Sequence, residues 1–166
     1  MTDEQFSKGM REGHFVKVPD HKGFCTFLYY TAARCSEALK MQREQFRMEP
    51  NNLFIDIGER LKRSQKTSEL KIPLDTPFID TVIDSFIGKK QDQRVWSYCR
   101  KTGYNIVHRV FYYPHYFRLS RITRFFAEGF TIAQVKNWTG LTLDALNYYV
   151  GRVDISKMGE SLAYRG

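Results

Sequence analysis

A histidine and an arginine stand three positions apart in Pro114-His115-Tyr116-Phe117-Arg118, so a helix there would set an imidazole one turn from a guanidinium. A helix-like apolar run follows, and a tyrosine pair, Tyr148-Tyr149, lies downstream. A second arginine, Arg34, lies far upstream in Tyr30-Thr31-Ala32-Ala33-Arg34-Cys35-Ser36-Glu37-Ala38-Leu39, and a lysine-rich stretch lies between the two. These are the groups that phosphoryl transfer to a phenol would need. Attack on a phosphodiester builds negative charge on the non-bridging oxygens, and guanidiniums suit that charge because they stay protonated and donate in parallel pairs. A histidine can donate a hydrogen bond or move a proton, and a lysine can protonate the departing sugar oxygen. A tyrosine hydroxyl can attack phosphorus and leave a covalent phosphotyrosine. Such chemistry needs neither a metal nor a nucleotide cofactor.

The elements that must position these groups can be read from periodicity and punctuation. Residues 1–22 read as an irregular arm, because Gly9, Gly13 and Pro19 interrupt any repeat. Apolar residues at three- and four-residue intervals from Phe24 to Met41 predict one helix with Arg34 inside it. Leu53-Phe54-Ile55-Asp56-Ile57 and Leu70-Lys71-Ile72-Pro73-Leu74 read as paired strands, with the polar stretch Arg60 to Ser68 as their hairpin turn. Thr76 as cap and Pro77 at the first position open a helix that runs to Gly88. A further helix is expected from Gln91 to Lys101, while Tyr104 to Tyr113 stays open. His115 to Glu128 reads as a helix closed by Gly129. Thr131 caps a short one ended by Gly140, and Thr142 with Asp144 opens the last, which carries the tyrosine pair. The expected fold is mainly α with a small antiparallel β-sheet. Its expected units are the arm, a catalytic domain over 23–151 and a C-terminal tail over 152–166.

Composition limits the partners. A chain of 166 residues suits one domain with one core. Its 26 basic and 18 acidic side chains leave a net charge of +8, which favours a polyanion. Cys25, Cys35 and Cys99 are odd in number and lack Cys-x-x-Cys spacing, which points to reduced thiols rather than a disulfide framework or structural zinc. His14, His21 and His108 show no metal-ligand spacing. No apolar run approaches the roughly 20 residues of a membrane span. The opening Met1-Thr2-Asp3-Glu4-Gln5 lacks an export signal, so a cytoplasmic, DNA-associated protein is expected.

In order and content these segments resemble the tyrosine recombinases, the phage and archaeal-virus integrases, and specifically their C-terminal catalytic domain. Leu28 to Leu39 is similar to the family's first-arginine box, which implies that Arg34 binds the scissile phosphate and that Glu37 supports it. The Phe54 to Leu74 segment resembles the family's β-hairpin, whose turn carries a catalytic lysine; Lys66 is the nearest match and Lys62 the alternative. His115 to Arg118 resembles the His-x-x-Arg box, which implies His115 as acid/base and Arg118 as second phosphate ligand. Tyr148 best fits the nucleophile, with Tyr149 as alternative. The chain departs from the pattern in placing Leu141 where a histidine or tryptophan normally binds phosphate, with Trp138 as a possible substitute. Ala32-Ala33 replaces the usual Thr-Gly-x lead, read as a mild change, and only a short arm stands where most members carry a DNA-clamping domain.

The resemblance implies site-specific recombination of double-stranded DNA through a 3′-phosphotyrosine, by a homo-oligomer assembled on DNA. It implies no cofactor, metal or membrane. Arg60, Lys62 and Arg63, and separately Lys89 and Lys90, would contact the DNA backbone. Two other readings of the same residues are a catalytically silent, recombinase-derived DNA-binding protein and a topoisomerase of the same chemistry.

Overall fold

The computed structural model describes residues 1–13, 15, 19–57, 69–111 and 114–150. Its elements are α1 (Asp3–Glu12), α2 (Pro19–Thr31), α3 (Cys35–Ala38), β1 (Phe46–Glu49), β2 (Asn52–Asp56), β3 (Glu69–Pro73), α4 (Ile79–Phe86), α5 (Arg100–His108), α6 (Pro114–Ala127), α7 (Ile132–Thr139) and α8 (Leu143–Val150). The architecture is mainly helical with one three-stranded antiparallel sheet in the order β1-β2-β3. Leu53 faces Ile72, and Ile55 faces Phe46 and Leu70. Leu53 and Ile55 are buried while their neighbours are half-exposed, the alternation of a sheet with one covered face. No helix among the described residues is long and apolar enough to cross a membrane.

Helix α2 is the central element, with Phe24, Cys25, Phe27, Leu28 and Tyr29 all buried. It lies close against α4 because Gly23 has no side chain: a Cβ there would overlap the Ser85 hydroxyl and the Thr81 carbonyl. The Thr26 and Thr81 hydroxyls pair across this contact at 3.0 Å. Phe27, Phe46 and Trp96 join α2 to the sheet, with Phe27 4.9 Å from Trp96 and 5.9 Å from Phe46 between ring centroids.

Several sequence expectations are corrected. The first 22 residues are not irregular throughout, because α1 forms there. Thr2 caps it, its hydroxyl accepting from the Gln5 N–H at 3.2 Å while the Gln5 side chain accepts from the Thr2 N–H at 2.9 Å. Phe6 and Met10 turn into the core, where Phe6 stacks on Tyr29 with centroids 3.8 Å apart. Gly9, read as a breaker, lets α1 approach the Phe111 ring, which a Cβ would strike. Strand β1 adds to the two expected strands and turns back into β2 through Pro50 and Asn51. Residues 91–99 form no helix, since their backbone instead bonds residues 41–44: Val95 N–H to Met41 O at 2.9 Å and Arg43 N–H to Gln93 O at 2.9 Å. The helix begins at Arg100 instead. Thr76 does not cap α4, because Phe78 stands before Ile79 with φ 65°.

The expected helix from Phe24 to Met41 is broken in the middle. It stops at Thr31, passes through Ala32 at φ 54° and extended residues, and restarts at Cys35. The Thr31 hydroxyl helps end it, donating to the Phe27 carbonyl at 2.7 Å and accepting from the Ala33 N–H at 3.2 Å. Alanine where the resemblance has glycine is therefore not mild: a left-handed backbone costs an L-residue about 1–2 kcal/mol that glycine avoids.

Candidate active site

The break after α2 is what presents Arg34. An arginine in a continuous helix would follow the helix surface, but here it sits at the extended residue before α3 and points out of the fold, 46% exposed at the side chain. Glu37 fixes it twice. The carboxylate accepts from the Arg34 backbone N–H at 2.7 Å and from its guanidinium at 3.0 Å. The supporting acid thus caps α3 and orients the arginine together.

Arg118 reaches the same place from the opposite side and by another route. It lies one turn into α6 and is only 3% exposed. Its guanidinium donates to the Ala32 carbonyl, in the break, and to the Thr139 carbonyl, at the end of α7, at 3.1 Å for the latter. A cation placed on two helix ends complements the negative pole of each. Burial pushes the guanidinium down to about 10, and the Arg34 charge pushes the same way, so it remains ionised at neutral pH. Trp138 performs a parallel task, its buried indole N–H donating to the Thr31 carbonyl at 2.7 Å. Trp138 is thereby engaged as a strut between α7 and the break, and it does not line the cavity described next.

Arg34, His115, Arg118 and Tyr149 all line one open cavity of about 420 Å³. They arrive from the break before α3, the first two turns of α6 and the far end of α8, segments separated by up to 115 positions in the chain. His115 is exposed next to Pro114, which opens α6 with the fixed φ that suits a first helical residue. Leu141 also lines the cavity, so the position where the resemblance implies histidine or tryptophan presents an apolar side chain. Of the tyrosine pair, Tyr149 is 7% exposed and faces the cavity, while Tyr148 is 58% exposed and does not line it. Arg100, at the start of α5, lines it as well. In the sequence Arg100 carries no motif and falls inside the helix expected from Gln91 to Lys101.

The cavity holds three guanidiniums and an imidazole, and the described acid beside them is Glu37, bonded to Arg34. Such a site attracts a tetrahedral or trigonal-bipyramidal oxyanion. Cys35 borders it with a thiol that burial raises above the ordinary range and Arg100 draws partly back. No cluster of three or more metal-ligating side chains occurs among the described residues.

Lys66, Lys62, Arg60 and Arg63 fall outside the described residues. Lys89 and Lys90 follow α4 and do not line the cavity; the Lys89 ammonium donates to the Val95 carbonyl at 2.7 Å, and Lys90 is exposed.

No protein-family model and no curated protein matches this sequence. A solved structure does. The chain is similar to the crystal structure of XerA recombinase, with a TM-score of 0.65 at 13% sequence identity, over 99% of this chain and 62% of that one. The chain therefore spans less than two thirds of the protein it matches, and the likeness shows that it has the tyrosine recombinase fold.

Proposed function

We propose that this protein cuts and rejoins DNA strands through a covalent tyrosyl intermediate, as an integrase-type site-specific recombinase. The observation that carries the reading is the convergence of Arg34, His115, Arg118 and Tyr149 on one cavity from remote parts of the chain. The fold shared with XerA recombinase adds to it.

In this reading a backbone phosphate of duplex DNA enters the cavity, and Arg34 and Arg118 neutralise its non-bridging oxygens as charge builds there. The Tyr149 hydroxyl attacks phosphorus, and its proton passes to His115 or to solvent. The bond from phosphorus to the 5′ oxygen breaks, and that oxygen takes a proton from Lys66, or from Lys62 in its place. The products are a 3′-phosphotyrosine and a free 5′-hydroxyl. Attack by another 5′-hydroxyl reverses each step and restores the phosphodiester and the phenol, so the sequence needs no external energy source. Exchange of strands between two duplexes requires several protomers on DNA. The basic residues Arg60, Lys62, Arg63, Lys89 and Lys90 would add salt-dependent affinity for the backbone.

The geometry favours Tyr149 over Tyr148 as nucleophile, and the test separates them. Incubation with a pool of randomised duplexes nicked on one strand traps any adduct, because the short 5′ fragment diffuses away after cleavage. Tyr149→Phe should abolish the adduct and Tyr148→Phe should leave it. Adduct formation by Tyr149→Phe overturns the assignment.

One observation favours a second reading, a catalytically silent DNA-binding protein: Leu141 supplies no donor where the family has one, and Arg118 already donates to two carbonyls. Any strand cleavage by the purified wild-type protein eliminates it, and relaxation of supercoiled DNA without recombination would mark a topoisomerase instead.

A further inference from the structure

Part of the donor set that lines the cavity is already engaged within the fold. Arg118 turns donors to the Ala32 and Thr139 carbonyls, and Arg34 gives one to Glu37. Leu141 contributes a hydrocarbon surface. A transition state with extra charge on equatorial oxygens is stabilised by fixed donors aimed at each of them.

We propose that Arg100 is a third phosphate ligand of this cavity and takes the part that Leu141 cannot. The inference rests on the phosphoryl-transfer reading of the site. Arg100 lines the cavity together with Arg34, His115 and Arg118. It is exposed, and among the described residues no hydrogen bond or ion pair engages its guanidinium, so its donors are available to a ligand. Its charge is felt across the cavity at the Cys35 thiol, where it works against the larger upward push of burial.

Its place in the fold points the same way. Arg100 is the first residue of α5 and Lys101 the second, and the first turn contains no acid. A helix start is the positive end of the macrodipole, where carboxylates stabilise and cations do the opposite. Helix stability therefore does not account for a guanidinium there. A bound phosphate accounts for the guanidinium, because the side chain would hold it. Arginine also offers the planar pair of donors that one phosphate edge accepts.

The test measures equilibrium dialysis of radiolabelled inorganic phosphate against the whole chain at low ionic strength. It compares the wild type with Arg34→Ala, Arg100→Ala, Arg100→Lys and Lys101→Ala. Loss of a charge-assisted contact should raise the Kd of Arg100→Ala by about tenfold or more. Arg100→Lys should regain part of that loss, since it keeps the charge and gives up the paired donors. Lys101→Ala, which removes a neighbouring exposed cation outside the cavity, should stay within about twofold of wild type because solvent and salt screen it. Wild-type binding by Arg100→Ala while Arg34→Ala fails would remove Arg100 from the site and leave the phosphate cavity standing. Equal losses in Arg100→Ala and Lys101→Ala would reduce the effect to general charge and overturn the assignment. Absence of saturable phosphate binding by the wild type would overturn the cavity and Arg100 together. Melting temperatures matching wild type within about 2 °C would exclude misfolding, as expected for an exposed side chain.

Discussion

Arg34→Ala and Arg118→Ala should both eliminate covalent adduct formation, yet they should differ several-fold in their effect on stability. Arg34 is about half exposed and its ion pair with Glu37 is partly solvated, so breaking it should cost about 0.2–1 kcal/mol. The Glu37 carboxylate would still accept from the residue 34 backbone N–H, and the α3 cap would survive. Arg118 is 3% exposed, and alanine there would leave the Ala32 and Thr139 carbonyls facing a hole. Two hydrogen bonds from a charged donor contribute about 1.5–3 kcal/mol each. The cost of holding that charge away from water, visible in its lowered pKa, acts in the opposite direction and offsets part of this. A net loss of about 2–4 kcal/mol remains, or roughly 5–15 °C in melting temperature for a chain of this size. Urea denaturation of both variants, read by circular dichroism with the slope checked for constancy, gives the comparison directly. A loss below about 1 kcal/mol for Arg118→Ala would refute the reasoning, because the two carbonyls would then have found other partners or water. So would a loss for Arg34→Ala as large as that for Arg118→Ala. Arg118→Ala also needs its activity judged on folded protein, since part of any apparent loss would be unfolding.

Gly23→Ala should destabilise by about 1–3 kcal/mol, since a methyl group there meets the Thr81 backbone as well as the Ser85 side chain and α2 and α4 must separate; an unchanged urea midpoint would count against that packing. Asp3 ties α1 to α2 and α6 through the Tyr29 hydroxyl at 2.5 Å and an ion pair with Arg124. Burial acts to raise its carboxyl, but the bonds from Tyr29 and Arg124 outweigh this and hold it below the ordinary range. A carboxyl lowered on folding stabilises above its unfolded pKa of about 3.9 and loses that contribution as pH falls through the lower folded value. Thermal melts from neutral pH to pH 2 should therefore show Asp3→Asn less stable than wild type by a constant margin above about pH 5, with the gap closing below about pH 4; a gap that persists undiminished at pH 2 would refute the assignment.

Much of this fold was legible because it depends on local signals that also operate in isolation. The α7 boundaries follow from Thr131, whose hydroxyl accepts from the Gln134 N–H at 3.2 Å, and from Gly140 at φ 67°. Gly129 ends α6 at φ 90°, and the β2–β3 pairing follows from two apolar alternating runs. What failed were segments whose backbone bonds to distant parts of the chain. Nothing within residues 91–99 says that Met41 and Arg43 will claim their polar groups, so the sequence reads as a helix from Gln91 where none forms. The glycine of α1 misled for a similar reason. Gly9 looked like a helix breaker, whereas its lack of a side chain answers to Phe111, about a hundred positions away.

The site shows the same division, with a consequence for how its parts depend on one another. His115 and Arg118 could be read together from their spacing, and Arg34 joined them only through the resemblance of its box; their mutual support could not be read at all. The carbonyls of Thr31 and Ala32 are the loose end of α2, and they are satisfied by Trp138 and Arg118. The residue proposed as second phosphate ligand is therefore also what holds open the break that presents the first. Ala32 makes this support more necessary, since its left-handed backbone is strained where glycine would rest. Loss of Arg118 would leave the break held by Trp138 alone, and Arg34 would lose its fixed place with it. The two arginines act as one unit through the backbone between them, so the double variant Arg34→Ala, Arg118→Ala should bind phosphate no more weakly than Arg118→Ala alone. Additive losses in that cycle would show two independent ligands and would contradict the coupling.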